Sequence, residues 1–270
     1  LSRTLNRSTS LTLESAATPT DFDDINGFSF GFGVQFDQGA QVLKTEGRSA
    51  GFTVNSARNI GMGPDSALSS SSGALNVDFN ADAKGDPLPA VLPIVLNGNG
   101  RLGGSIGMNQ ARIESNGGDI RFYGQSDPVN GRAAGGAQRD GIFVAPGIQM
   151  ANSLVTTCAA GAAACTGGRA ISMRGEGGSG SEEGSDSQGG VGVAVYGTQL
   201  RTGSGGITLD GRGGLGASGV RSVEFGQAGE RSAIESASGD IRITGDTRGW
   251  TASDPVVFFR SDDGDGGGDF

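Results

Sequence analysis

Apolar residues recur along this chain in short alternating units set between small and polar ones. One unit is an apolar–x–apolar triplet that begins at Leu75, Ile120, Ile171, Ile207 and Ile241, in steps of 45, 51, 36 and 34 residues. Upstream of each lies a second pair at spacing two: Ile60/Met62, Ile106/Met108, Ile148/Met150, Val193/Val195 and Val223/Phe225. Between them sits a third element ending in Ser or Thr: ALSS, RIES, LVTT, QLRT and AIES. A period of two marks a strand with one buried and one wet face. Three such strands in fixed order, five times over, predict an all-β solenoid. It is a parallel β-helix of three short strands per coil, with Gly-rich loops and rungs about 4.8 Å apart. Stacked coils satisfy one another's backbone N–H and C=O groups through parallel ladders.

Alternation assigns the faces of the last strand in each coil. Leu75/Val77/Phe79, Ile120/Phe122, Ile171/Met173, Ile207/Leu209 and Ile241/Ile243 are expected inside, with the five triplets stacked in one column. Asn76/Asp78, Arg121, Ser172, Thr208 and Arg242 are expected outside, with Arg121 pairing Asp78 from one rung on. The repeat distance varies because one turn varies. ADAKGDPLPA, QSDPVNGRAAGGAQRD, EGGSGSEEGSDSQGG, RGGLGASG and DTRGWTASD all follow the third strand, so they leave one edge of the tube as solvated loops. The opening stretch supplies strands of about one further coil and PVVFF (255–259) starts another, for five full rungs and two partial ones. The organisation read from this is an irregular N-terminal β segment with a first partial coil over 1–52, the β-helix over 53–260 and an acidic Gly-rich tail over 261–270. Helix signals are nearly absent.

Composition removes several functions. The 52 glycines, far above an average share of about 7%, suit tight turns in such an array. A net charge of −9 without a basic stripe speaks against nucleic acid as a partner. The absence of His removes imidazole bases and His-built zinc sites. No apolar run approaches the roughly 18 residues of a spanning helix. No charged-then-apolar leader opens the chain at Leu1, so export signals are expected to be removed or to lie outside it.

The stretches SSGALNVDFNADAKG, SIGMNQARIESNGGDIRFYG and GSGGITLDGRGG resemble the repeat region of filamentous haemagglutinin-like exoproteins, the large two-partner-secretion adhesins of Gram-negative bacteria. The resemblance spans roughly residues 50–250. It implies a right-handed β-helix exported through an outer-membrane transporter, displayed at the bacterial cell surface or secreted. Its partners would be glycans or proteins of host or neighbouring cells, and other copies of itself. The Asn-Pro-Asn-Gly type motif of the family's secretion domain is not recognisable, which makes the chain an expected interior or carboxy-terminal piece, or a divergent member. The reading that follows is an adhesin or stalk segment without catalysis and without a cofactor. A structural filament or matrix element is the alternative, and a polysaccharide-active enzyme the third. In that exported setting Cys158 and Cys165, enclosing AAGAAA, are a candidate local disulfide, with two free thiols as the alternative.

Other motifs dissolve on inspection. Gly175–Gly180 and Gly211–Gly216 fit the dinucleotide fingerprint G-x-G-x-x-G, but neither opens a helix that could hold a pyrophosphate. Asp78, Asn80, Asp82 and Asp86 have the oxygen rhythm of a calcium loop. Ala83 and Pro89 stand where the EF-hand needs Gly and Glu, so a solvated turn is favoured over weak Ca²⁺ binding. The acidic runs at 21–24 and 261–269 read as solvated. Glu114 and Glu235 occupy equivalent positions but three rungs apart, about 14 Å, with Val155 and Arg201 as the expected intermediates. Asp119 and Asp240 are separated likewise. Glycoside hydrolysis needs carboxylates about 5–9.5 Å apart.

Overall fold

The computed structural model describes residues 1–15, 32–83, 104–135, 146–162, 165, 167–178, 190–214, 221–226, 231–247 and 256–259. Three parallel sheets wind into a right-handed β-helix, each coil adding one strand to sheet 1, then sheet 2, then sheet 3. Coil 1 consists of Phe32–Phe36, Gln41–Lys44 and Ala50–Ser56, and coil 2 of Asn59–Met62, Ala67–Ser70 and Leu75–Ala81. Coil 3 is Ile106–Asn109, Arg112–Glu114 and Ile120–Gly124, and coil 4 is Ile148–Ala151, Leu154–Thr156 and Ile171–Glu176. Coil 5 is Val193–Tyr196, Gln199–Thr202 and Ile207–Gly213, and coil 6 is Val223–Phe225, Ala233–Ser236 and Ile241–Thr247. Leu11–Ser15 precedes coil 1 in sheet 3, and Val257–Phe259 begins a seventh coil in sheet 1.

Among the described residues there are thus six complete coils, one more than the five read from the triplets. The opening stretch closes a full turn, and the expected boundary at 52/53 falls inside the strand Ala50–Ser56. An unforeseen helix, Ser2–Asn6, lies against Gln41–Lys44 and buries Leu5 completely. At five residues it carries too few apolar positions for a period of 3.6 to show. It acts as a lid over the edge of sheet 2, where among the described residues no strand precedes Gln41–Lys44 to cover the apolar interior. The tail at 261–270 and the run at 21–24 lie outside the described residues.

The core is a set of columns. Val34, Ile60, Ile106, Ile148, Val193, Val223 and Val257 stack in sheet 1, and Val42, Leu68, Ile113, Val155, Leu200 and Ile234 in sheet 2. In sheet 3 the column is Phe52, Val77, Ile120, Ile171, Ile207 and Ile241. Leu75 is therefore two residues out of the expected column, opposite Ala50. A slip of two keeps every side chain on its face, so alternation cannot detect it. Two contacts select this register. Phe79 meets Phe122 edge-on at 5.6 Å, and Asp78 comes to stand beside Arg121. Each fully buried Ile or Phe contributes on the order of 1.5–3 kcal/mol.

Ile241 departs from its expected burial. It is 46% exposed, and Ile243 is only partly buried, because among the described residues no strand lies beyond Ile241–Thr247 in sheet 3.

The corners explain the repeated phrase IESNGGDIRFYG (113–124) and IESASGDIRITG (234–245). Its Ser caps the turn: Ser115 Oγ donates to the Gly118 carbonyl at 2.6 Å, as Ser70 does to Gly73 at 2.8 Å and Thr202 to Gly205 at 2.6 Å. Its second Gly lets coils touch, since a Cβ on Gly118 would stand 2.2 Å from the Leu75 carbonyl oxygen. Its last Gly differs between the copies. Gly245 belongs to the column Gly175, Gly211 and Gly245, where sheet 3 turns toward sheet 1, whereas Gly124 pairs with Ala81 and Ala133 stands opposite Gly175. A Cβ on Gly211 would meet the Ser222 carbonyl oxygen at 1.9 Å.

Lys44 replaces the hydroxyl at the head of this Ser/Thr ladder. It is fully buried, and its ammonium donates to the carbonyls of Glu46 at 2.6 Å, Gly47 at 3.2 Å and Ser72. Desolvation lowers its pKa.

Candidate functional surface

Connections between the sheets differ in kind at the three corners. From sheet 1 to sheet 2 most are short and pass through a left-handed residue two before the strand: Gly39, Asp65, Gln110, Asn152 and Gly197, with φ of 72, 59, 51, 49 and 55°. From sheet 2 to sheet 3 most are likewise tight. From sheet 3 to sheet 1 they run from two residues (57–58) to twenty-four (82–105). The variable loops read from sequence therefore do leave a single edge of the tube. Residues 84–103, 136–145, 179–189, 215–220 and 248–255 of these connections lie outside the described residues.

The roots of the loops are pinned. After Gly124 the chain departs, and it returns as Ala133–Ala134 to pair with Gly175 and Glu176 of the next coil. Asn80 accepts from the Ser126 backbone at 3.0 Å and donates to Asn55 Oδ1 at 3.0 Å, so an asparagine ladder holds the point of departure. Asp127 accepts from the backbone N–H groups of Val129 at 2.8 Å and Asn130 at 3.0 Å. Those bonds, Asn130 foremost, hold its carboxyl below the ordinary value. At the return, Arg132 meets Asp210 at 2.8 Å, and Arg174 meets the same carboxylate at 2.7 Å. Burial alone would raise the Asp210 carboxyl, but hydrogen bonds and charge from Arg132 and then Arg174 hold it below the ordinary value. Arg212 continues the network to Asp246 at 3.0 Å and Glu176 at 3.7 Å.

The expected pair Asp78–Arg121 forms at 2.6 Å. Burial raises the Asp78 carboxyl, and the Arg121 charge opposes that shift without cancelling it. The same burial, reinforced by the Asp78 charge, raises the Tyr123 phenol.

One insertion leaves a different edge. Cys158 and Cys165 are joined in a disulfide, Cα–Cα 5.0 Å, inside the sheet 2 to sheet 3 connection of coil 4. The buried carboxylate of Glu114 accepts from the Gly161 N–H at 3.2 Å and holds the loop down on coil 3. A recess of 250 Å³ opens beside it, between Asn116, Thr157, Ala162 and Gly168. Thr157 stands at the Ser/Thr ladder position, but the insertion has displaced its turn, and its buried hydroxyl has no hydrogen-bond partner among the described residues.

Glu114, Glu235 and Asp119, three of the four carboxylates weighed for hydrolysis, have structural partners. Glu114 and Glu235 share a column, with Thr156 and Arg201 between them; Thr156 corrects the expected Val155, which points inward in the neighbouring core column. Glu235 pairs with Arg201 at 3.0 Å. Asp119 accepts from the Ala170 backbone at 3.0 Å and lies 3.6 Å from Arg169. Of the two glycine fingerprints, Gly175, Gly211 and Gly213 lie within strands, while Gly180 and Gly216 lie outside the described residues. In the candidate calcium loop Asp78 and Asn80 are engaged with Arg121 and with Asn55 and Ser126, and Asp86 lies outside the described residues.

No family model, no curated protein and no solved structure matches this chain.

Proposed function

We propose that the chain is a passive display scaffold: a secreted or cell-surface β-helical adhesin or stalk segment that attaches through the loops of one edge and performs no catalysis. The observation behind this reading is the gathering of the long connections at the sheet 3–sheet 1 edge, the disulfide-closed insertion at 157–170 excepted, with roots held by Asn80, Arg132 and Asp210. Loops of free length on rigid, hydrogen-bonded roots are a binding surface whose specificity can change without disturbing the core. The resemblance to haemagglutinin-like repeats supplies the export route through an outer-membrane transporter and the partner class, surface glycans or proteins of other cells. The disulfide suits an oxidising compartment.

The test is adhesion of the intact chain to glycan arrays and to bacterial or animal cells, compared with a variant whose 136–145 segment is replaced by a short Gly/Ser linker. Binding that falls while the thermal melt stays unchanged supports display by loops. Time-dependent shortening of a polysaccharide by the purified chain would refute the absence of catalysis.

A further inference from the structure

Gln35, Gly61, Gly107 and Gln149 stack in one column on the outer face of sheet 1, one from each of coils 1 to 4. The two glycines leave a gap between the two glutamines, which stand three rungs or about 14 Å apart. That gap is the floor of a recess of 490 Å³, walled by Pro64 and Asn109 where sheet 1 turns toward sheet 2. The volume falls within the roughly 300–1,000 Å³ of small-molecule sites.

The fold does not require glycine at position 107. Its φ is not in the left-handed region, and a Cβ built on it would meet nothing within 4 Å among the described residues. At Gly118 and Gly211, by contrast, a backbone oxygen lies 2.2 and 1.9 Å from that position. The column also accepts a long side chain, since Gln149 stands beside Gly107 on the next rung. Glycine weakens a strand. Where neither contact nor dihedral demands it, it marks a place at which a ligand comes close to the backbone.

The lining decides the kind of ligand. Among the described residues no titratable side chain lines the recess, so a charged ligand would leave water without a counter-ion. Gln35, Asn109 and Gln149 are exposed carboxamides, each offering both donors and an acceptor. A sugar hydroxyl likewise donates and accepts, and the C–H face of a pyranose ring can lie against the glycine backbone. A peptide would gain no ladder here, because Asn59–Met62 and Ile106–Asn109 already pair on both sides within sheet 1.

We infer that the outer face of sheet 1 binds an uncharged oligosaccharide, laid along the tube axis between Gln35 and Gln149 over the clearance at Gly107. The site is on a sheet face, apart from the loop edge proposed above, and does not depend on that reading.

The experiment is calorimetric titration of the full chain with neutral tetrasaccharides of glucose, mannose, galactose and N-acetylglucosamine, beside tetragalacturonate as the acidic counterpart. At least one neutral sugar should bind, and the galacturonate should not. Gly107→Gln fills the gap with the side chain the column already carries at both ends. It should weaken binding by roughly tenfold or more, while the thermal melt stays the same or rises. Gln149→Ala should also weaken binding. Replacing 136–145 by a Gly/Ser linker should leave it unchanged, which separates this site from adhesion through the loops. No binding of any neutral sugar, tighter binding of the galacturonate, wild-type affinity in Gly107→Gln or in Gln149→Ala, or loss of binding on loop replacement would each overturn the inference. A lower melting temperature in Gly107→Gln would overturn it as well, because the recess would then be filled by the protein's own chain.

Discussion

Arg132 reaches Asp210 across 78 residues of chain, from the loop that leaves coil 3 to the third strand of coil 5, with Nη1 and Oδ1 2.8 Å apart. Arg174 closes on the same carboxylate from coil 4, so one acid ties three successive coils together at the root of a long loop. Asp210→Asn leaves two part-buried guanidinium groups without their counter-ion. It should cost about 3 kcal/mol in urea unfolding at neutral pH. The folded Asp210 pKa lies below its unfolded value. Its contribution is therefore present above the unfolded pKa and lost as pH falls through the lowered one, so the difference from wild type should shrink in strong acid.

Asp78 should behave in the opposite sense. Its pKa is raised by burial, so the protonated form is the one the fold favours. The associated stability is present below the unfolded pKa and fades as pH rises through the raised one. Asp78→Asn keeps a neutral side chain of the same shape, and Arg121, at 42% side-chain exposure, retains its water. The substitution should change stability at neutral pH by less than about 1 kcal/mol. A loss as large as that of Asp210→Asn would show the burial argument to be wrong.

Two glycines in strands should respond differently to alanine. Gly211→Ala drives a methyl to 1.9 Å from the Ser222 carbonyl oxygen, a backbone atom that cannot step aside, and should cost at least about 3 kcal/mol. Gly107→Ala meets nothing within 4 Å and should be neutral or stabilising by about 0.5 kcal/mol. Thermal melts of the two variants side by side are the measurement.

Reduction of Cys158–Cys165 should lower stability by about 2.5 kcal/mol, the chain-entropy value for so short a loop. The β-helix should survive, because Leu154–Thr156 and Ile171–Glu176 on either side of the insertion keep their ladders to coils 3 and 5. Circular dichroism should retain its strand signal, while proteolysis within 158–168 should become faster.

Much of this was readable from residue order alone. Apolar alternation identified the strands of coils 2–6, their sequence around the coil and the inward faces. The Ser or Thr at the end of the second strand proved to cap a turn at Ser70, Ser115, Thr202 and Ser236, with Thr157 the exception. The left-handed corner residues carry only a weak mark, because Asp65, Gln110 and Asn152 share no single residue type with Gly39 and Gly197. The Leu5 lid was hidden because a helix of five residues shows no period.

A period of two says which face a side chain takes and is blind to sliding by two, so local sequence determined what is inside this protein, coil by coil. Which residue stacks on which was decided only when coils met. Phe79 on Phe122 and Asp78 on Arg121 set Val77, not Leu75, beside Ile120. The meeting of Arg132, Arg174 and Asp210 was also left to the tertiary structure, since ion pairs between coils depend on the path a loop takes back to the sheet, and loop length does not encode that path.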